Sequence, residues 1–513
     1  MKKIIISFLL LLLTCGTALA QTAEESSGTP TYLQSVISTD DAQEIQKSII
    51  FDASQSFLPN PDNEVKYEWD FGDGNKNQGM EVLHAYQEPG KYTVGLTIKD
   101  GGSSNTREME IIAYRNLILL ITDQSEAQER IEVLKEFAEK QGVYIKVIES
   151  FGSSTEFISE EVLTKKLNEE SITIQKANQI AVWTKENAGL NALSRYIQNN
   201  QKKIGTNFTQ KTITILENNT SKNLSRIQRQ FHFINPKSII VAKEAAVYPL
   251  IDSLNQKSFI ESLENGGYEY EVVTSKTGKL RPWNFMSYFV NFLINKGIPD
   301  NTIALLLLLP VIATVVAFTK QVIGITTFGI YTPSIITISF LIIGMYAGLL
   351  TLLTAISMGA IMHPVLKKVR MLFIPKMAIV ITVVSLVLFL LLIASTYLGL
   401  FDTQFLSIAI FPMVILITLV EKFVSVKTEK GLSSAAILMF STVLVSIISY
   451  FIVGGEVSIG IATLKFDFVK NSMIAYPELI FLILIINIIL GKWSGLRILE
   501  RIRFREVLRH IEE

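Results

Sequence analysis

Residues 377–401 read Met377-Ala-Ile-Val-Ile-Thr-Val-Val-Ser-Leu-Val-Leu-Phe-Leu-Leu-Leu-Ile-Ala-Ser-Thr-Tyr-Leu-Gly-Leu-Phe401, an uninterrupted run without a charge. A helix rises about 1.5 Å per residue, so about 20 such residues cross the roughly 30 Å hydrocarbon core of a bilayer. Working outward from this run, six more apolar stretches stand at about 302–319, 326–343, 346–366, 403–420, 432–453 and 475–491, with the central one trimmed to 377–396. Together they predict an α-helical seven-transmembrane bundle over residues 302–493. Only Gly344 and Met345 separate the second and third stretches. That junction reads either as a tight helical hairpin or as a re-entrant piece around Thr332-Pro333.

The N-terminus carries Lys2 and Lys3, an apolar core from Ile4 to Leu13, and Ala18-Leu19-Ala20 before Gln21. This is the pattern of a cleaved secretory signal over residues 1–20. A lipoprotein signal ending at Cys15 is the alternative, with Thr14 where a small residue is usual. Export of residue 21 onward and seven crossings leave the C-terminus inside. The segments then assigned to the inside hold 14 basic residues, the arginine-rich tail 494–513 among them, against Lys465 and Lys470 in the outer connections. The positive-inside bias and the signal therefore agree. The expected location is the bacterial inner membrane, multi-pass, with the N-terminal domains periplasmic or extracellular. Just before the first crossing, Trp283, Phe285, Tyr288, Phe289 and Phe292 suit an interfacial helix within 281–300, at headgroup level, or a core seam of the preceding domain.

Polar or helix-breaking groups in the bundle give its candidate functional positions: Pro333, Pro412, Glu421, Lys422, Pro477 and Glu478. Ionisable groups at membrane depth are functional candidates by default. Most of these fall at helix ends, where solvation or snorkelling is cheap. Pro310 and Asn487 lie inside spans. No span carries a chain of acids or histidines of the kind a proton relay needs.

Lys+Arg and Asp+Glu balance at 47 each, which gives no reason to expect a nucleic-acid partner. Cys15 is the only cysteine, so cleavage after Ala20 removes disulfides, thiolate nucleophiles and cysteine-ligated zinc together. The four histidines, at 84, 232, 363 and 510, form no metal-spaced pair. Glycine-rich phosphate loops and the G-x-S-x-G elbow are missing too. No cofactor is implied, and enzymatic activity becomes the minority reading.

Residues 31–114 hold Tyr67-Glu-Trp-Asp-Phe-Gly-Asp-Gly74, then His84-Ala-Tyr86 and Pro89-Gly-Lys-Tyr-Thr-Val94. Alternation at Tyr92, Val94, Leu96 and Ile98 marks a strand with one buried face. Residues 115–280 alternate β-branched runs with helical stretches. The strand-like runs are 116–122, 142–149, 179–184, 212–216, 238–242 and 268–274. Such alternation predicts an α/β domain built on a parallel sheet, with binding sites at the carboxyl ends of strands where their order switches. Thr122, Asp123, Thr184 and Glu186 are the candidates there.

The 31–114 pattern closely resembles the PKD domain, a small immunoglobulin-like β-sandwich. The resemblance implies an extracellular spacer or adhesive module. Asp70 and Asp73 are its weak calcium candidates, with holding the turn as the alternative role. In the membrane half, Thr327-Phe-Gly-Ile-Tyr-Thr-Pro333, Phe373-Ile-Pro-Lys376, Ile410-Phe-Pro-Met-Val-Ile-Leu416, Glu421-Lys422, Pro477-Glu-Leu479 and Gly491-Lys-Trp-Ser-Gly-Leu-Arg497 follow in order. The stretch from about 300 to 505 thereby resembles the bacterial seven-helix membrane domain usually fused to an inactive transglutaminase-like domain. Here PKD and α/β segments stand in that partner's place, and the resemblance implies architecture rather than a reaction. The expectation is a multidomain membrane protein of the cell envelope: a non-enzymatic binder of a protein partner or ligand, anchored in membrane lipid and able to signal through its bundle. The alternative is a transport or export component of an envelope polymer or peptide pathway.

Overall fold

The computed structural model describes residues 32–59, 65–152, 155–200, 207–218, 224–253, 255–274, 285–295, 298, 300–367, 372–397, 419–459, 462–465, 468–493, 497, 498 and 500. The signal segment 1–20, Pro412, Trp283, most of the helix expected at 403–420 and most of the tail 494–513 lie outside the described residues.

In the first unit, the described residues between 32 and 114 form a β-sandwich. Its strands are β1 (Ala42–Glu44), β2 (Ile49–Asp52), β3 (Val65–Asp70), β4 (Lys76–Gln78), β5 (Glu81–His84), β6 (Gly90–Asp100) and β7 (Ser103–Tyr114). One sheet runs β1-β7-β6-β3-β4 and the other pairs β2 with β5. Val94, Leu96 and Ile98 are fully buried at alternate positions of β6, as a period of two requires when one face meets a core. Phe51, Trp69 and Phe71 share the same core, with Phe51 edge-on to Trp69 at 5.8 Å. Burying each such aliphatic or aromatic side chain contributes about 1.5–3 kcal/mol. Gly72 fixes the motif's turn at φ +75°, and a Cβ there would sit 2.6 Å from the Thr93 carbonyl oxygen. No other residue fits that place without strain.

The second unit begins with a six-stranded sheet made of β8 (Asn116–Thr122), β9 (Val143–Glu149), β10 (Gln179–Trp183), β11 (Thr212–Leu216), β12 (Ser238–Ala242) and β13 (Tyr270–Val273). Its order is β13-β12-β11-β10-β8-β9. β8, β10, β11 and β12 pair in parallel, while β13 joins β12 antiparallel at the edge, a departure from the all-parallel expectation. β10, β11 and β12 are buried along their whole length, so beyond Gln179 and Ser238 at their starts their runs are apolar or β-branched rather than alternating. Helices Gln128–Lys140, Glu156–Glu169, Ala188–Asn199 and Leu224–Ile234 provide the crossovers. Two further helices are Ser171–Lys176 and Gln256–Asn265.

Among the described residues, the membrane part of the same unit has four helices long and apolar enough to cross: Asn301–Ile323, Met345–Met362, Ile374–Leu391 and Leu432–Ile452. Helix Phe285–Asn295 precedes them and exposes Phe285, Tyr288, Phe289 and Phe292. Two expected spans differ in form. The 326–343 stretch is helical only over Tyr331–Ile343, because a single π-turn at Thr319–Ile323 and the left-handed Gly324 (φ +96°) end the first helix and start a non-helical link. The 475–491 stretch breaks at Pro477: Phe468–Ala475 and Leu479–Gly491 meet at 119°. Proline lacks the N–H that would continue the first segment. Small hydroxyls line the contact between Tyr331–Ile343 and Leu432–Ile452, where Thr337 Oγ1 donates to the Ser446 carbonyl at 3.1 Å and Ser446 Oγ to the Pro333 carbonyl at 3.1 Å.

Candidate functional site at the seat of the α/β domain

The strand order puts β8 and β10 side by side while the chain leaves them in opposite directions, to β9 and to β11. Their carboxyl ends therefore flank the switch point, where open α/β sheets leave a crevice. Asp123 follows β8 and Thr184 to Glu186 follow β10. The two loops are tied together, since the Lys185 amide donates to Asp123 Oδ1 at 2.8 Å. Ser159 Oγ lies 3.4 Å from Asp123 Oδ2. Thr122 and Thr184 are buried and turn their hydroxyls to their own loops: Thr122 Oγ1 accepts from the Gln124 amide and Thr184 Oγ1 donates to the Glu186 carbonyl at 2.6 Å. Gly189 lets the following helix close down on the strands, because a Cβ would sit 2.7 Å from Val182 Cγ1 and 2.9 Å from Thr184 Cγ2.

The crevice opens onto the end of the bundle. A cavity of about 370 Å³ lies between them, with Asp123, Glu156 and Glu186 on the α/β side and Leu308, Ile343 and Tyr450 on the bundle side. Lys470, from the short helix Phe468–Ala475, reaches across. Its Nζ stands 2.6 Å from Glu156 Oε2 and 2.9 Å from Glu186 Oε2, and Arg226 Nη2 lies 3.3 Å from Glu156 Oε1. Side-chain exposure is 7% for Lys470, 6% for Glu156, 10% for Glu186 and 4% for Arg226, so this is a buried ionic cluster rather than a surface pair. Burial pushes the Glu156 carboxyl above its ordinary value; Lys470 and Arg226 oppose that rise and Glu186 adds to it.

Two further bonds fasten the same seam. Thr155 caps the Glu156–Glu169 helix, accepting from the Ile158 amide, and its hydroxyl donates to the Ile342 carbonyl of the bundle at 2.6 Å. Asn301, at the head of the first long helix, donates to Glu160, which also takes Asn191 at 3.2 Å and Arg195 at 3.3 Å. Glu156, Glu160, Asn301 and Lys470 have no sequence signature. Lys470 and Glu156 stand 314 positions apart. The available hint was only that Lys470 is one of two basic residues in the connections assigned to the outer side.

The remaining sequence candidates lie elsewhere. Asp70 accepts from the Gly72 amide at 3.1 Å and pairs with Lys76 at 2.8 Å. The Lys76 hydrogen bond, then the Gly72 amide, hold its carboxyl below the usual value. Asp73 takes the Asn75 amide at 3.0 Å and lies 2.9 Å from His84 Nε2; burial raises its pKa, but Asn75 and His84 bring it down overall. Both aspartates thus brace the turn. Among the described residues no group of three or more His, Cys, Asp or Glu could hold a metal ion. Pro333 is buried in the first turn of its helix, where its missing N–H costs nothing. Glu421 is exposed, and Lys422 Nζ donates to Thr332 Oγ1 at 2.9 Å. Glu478 Oε1 accepts from the Ser287 amide at 3.2 Å and its hydroxyl at 3.3 Å, joining the break at Pro477 to the first turn of Phe285–Asn295.

A PKD-domain family model matches residues 34–113, and a model described as seven transmembrane helices usually fused to an inactive transglutaminase matches residues 284–508. Among curated proteins, Collagenase ColA of Clostridium perfringens (strain 13 / Type A) is 33% identical over 107 residues, covering 20% of this chain and 10% of the collagenase. The chain thus spans a tenth of that relative's length. Among solved structures, the PKD1 domain of Vibrio anguillarum Epp is similar at 28% identity over 16% of this chain and 90% of that one, with a TM-score of 0.13. A sialyltransferase from Photobacterium damsela aligns at 13% identity over 44% of this chain and 46% of that one, with a TM-score of 0.15. The chain therefore joins a PKD domain at 34–113 to the seven-helix membrane domain at 284–508, with a largely parallel α/β domain between them.

Proposed function

We propose that this is a non-catalytic envelope protein whose extracytoplasmic α/β domain binds a ligand in the switch-point crevice and passes its occupancy to the bundle through Lys470. The observation that carries the reading is the Lys470 bridge: one cation of the membrane part pairs with both Glu156, which opens the Glu156–Glu169 helix, and Glu186, in the loop after β10, at the crevice. A group entering between that helix start and that loop must meet the same carboxylates, so ligand and bundle share their partners. Such sharing makes one site's occupancy change the other's free energy, which is what coupling requires. The signal pattern, the basic bias of the opposite connections and the odd number of apolar stretches support an extracytoplasmic α/β domain. The PKD domain fits a spacer or partner-binding role on the same side.

The test is genetic. A chain lacking residues 31–280 but still inserted in the membrane should lose cellular function. Full function from that chain would reject the reading. The 119° break at Pro477, braced by Glu478, favours transport as a second reading, since discontinuous helices mark many transporters. A reconstituted bundle that moves no envelope peptide or polymer, together with an unchanged phenotype for Glu478→Ala, would dispose of it.

A further inference from the structure

The helix Phe285–Asn295 has two unlike faces. Ser287 and Val290 are buried, and Val290 belongs to the core that holds Ile303 and Leu307 of the first long helix. Phe285, Tyr288, Phe289 and Phe292 stand at i, i+3, i+4 and i+7, one side of a helix, and are between 47% and 61% exposed. Exposed rings would be ordinary on the lipid side of a spanning helix. This helix is too short to be one: its 11 residues reach about 16 Å, roughly half of the hydrocarbon core.

Its level is fixed by its neighbours. The next helix starts at Asp300, and Asn301 there donates to Glu160 of the α/β domain. Ser287 donates to Glu478, just past the break that follows the Lys470-bearing helix. The rings therefore lie at the end of the bundle, not at mid-depth. The segment Phe285–Asn295 carries no charge, so no acidic or basic partner is selected. Aromatic rings, tyrosine among them, favour the headgroup level of a bilayer, where an apolar ring and a polar tip are both satisfied. The break itself lacks a continuous helical ladder. Turn bonds cross it, such as the Leu479 amide to the Tyr476 carbonyl at 3.0 Å, so its angle depends on what it is fastened to. Here that is the same short helix, through Ser287 to Glu478 and Phe285 against Phe481 at 5.7 Å.

We propose that the Phe285–Asn295 helix is seated by its aromatic face in the headgroup layer of the bilayer, and that this seat holds the Pro477 break and with it the Lys470-bearing helix. This goes beyond the reading above and needs no ligand in the crevice.

The experiment uses the full chain in phosphatidylcholine nanodiscs, with Cys15→Ser and a single added cysteine bearing a nitroxide. Its collisions with oxygen and with a water-soluble nickel chelate report depth. Leu386→Cys, near the middle of Phe373–Tyr397, gives the deep reference, and Leu83→Cys on the sandwich gives the aqueous one. The nitroxide at Phe289→Cys should read between them, about 5–10 Å into the headgroup–acyl boundary. A reading equal to Leu83 would put the face in water, and one equal to Leu386 would put it at mid-bilayer. Shielding from both reagents would mean that a protein partner or a second copy covers it. Each of these overturns the seat. Hydrogen exchange across 468–475 reads the hold on the break. Tyr288→Ser with Phe289→Ser leaves Ser287, Glu478 and Phe285 in place and should raise that exchange several-fold, as should Glu478→Ala. Exchange unchanged by the ring pair would overturn the hold. Neither result touches the crevice coupling, which Lys470→Met tests across 155–190, so the two readings fail separately.

Discussion

The β-sandwich and the seam beneath the α/β domain use the same residue types in opposite ways. In the sandwich, Asp70 and Asp73 hold a turn, while Trp69, Phe71 and Phe51 supply the core. At the seam, Glu156, Glu186, Arg226 and Lys470 are themselves the buried contact. Apolar burial is non-directional and tolerant, so a spacer needs nothing else. Buried charges cost several kcal/mol each to desolvate and recover that only in good geometry. A buried ionic seam is therefore a poor way to gain stability alone, and in the proposed function it is the junction that responds.

The comparison is broken most severely by removing the shared cation. Lys470→Met leaves Glu156 and Glu186 buried without it, and should cost about 3–5 kcal/mol at the seam. Hydrogen exchange should rise across 155–190 and 468–475 and stay unchanged across 65–100. The matching change in the sandwich is steric. Gly72→Ala forces a Cβ onto the Thr93 carbonyl at positive φ and should cost about 1–3 kcal/mol, seen as faster exchange in β3 and β6 with the seam unaffected. Smaller still, Thr155→Ala removes a helix cap and one bond to Ile342, about 0.5–2 kcal/mol, and should loosen the Glu156–Glu169 helix in the same direction as Lys470→Met.

Acid gives the mildest contrast. The Asp73 carboxyl is held below its ordinary value, so its contribution to stability is complete above about pH 4 and is lost as pH falls through the lowered value. In a chain keeping Trp69 as its single tryptophan, fluorescence should report sandwich loosening at acid pH, and Asp73→Asn should flatten that response.

How much of this was legible depends on distance along the chain. The strands of the sheet announced themselves because β10, β11 and β12 are buried throughout and so are written mostly in Val, Ile, Leu, Thr and Ala. The turn at Gly72 was readable for the same local reason. Asp123 and Glu186 could be placed at strand ends from periodicity alone, and the structure sets them on one cavity. Their partner could not be found that way. The pairing of Lys470 with Glu156 depends on where the membrane part ends relative to the sheet, and no spacing rule spans that interval. The helix bounds within 326–343 were not legible for a physical reason: apolarity reports what a residue can be buried in, not where a π-turn and Gly324 let the helix stop.

The central claim is that Glu186 and Lys470 act as one unit joining crevice to bundle. A double-mutant cycle of Lys470→Met and Glu186→Gln, read as opening free energies from hydrogen exchange across 155–190 in nanodiscs, measures that most directly. The account predicts that the double variant recovers part of the loss, with a coupling of about 0.5–3 kcal/mol. Strict additivity of the two single effects would contradict it.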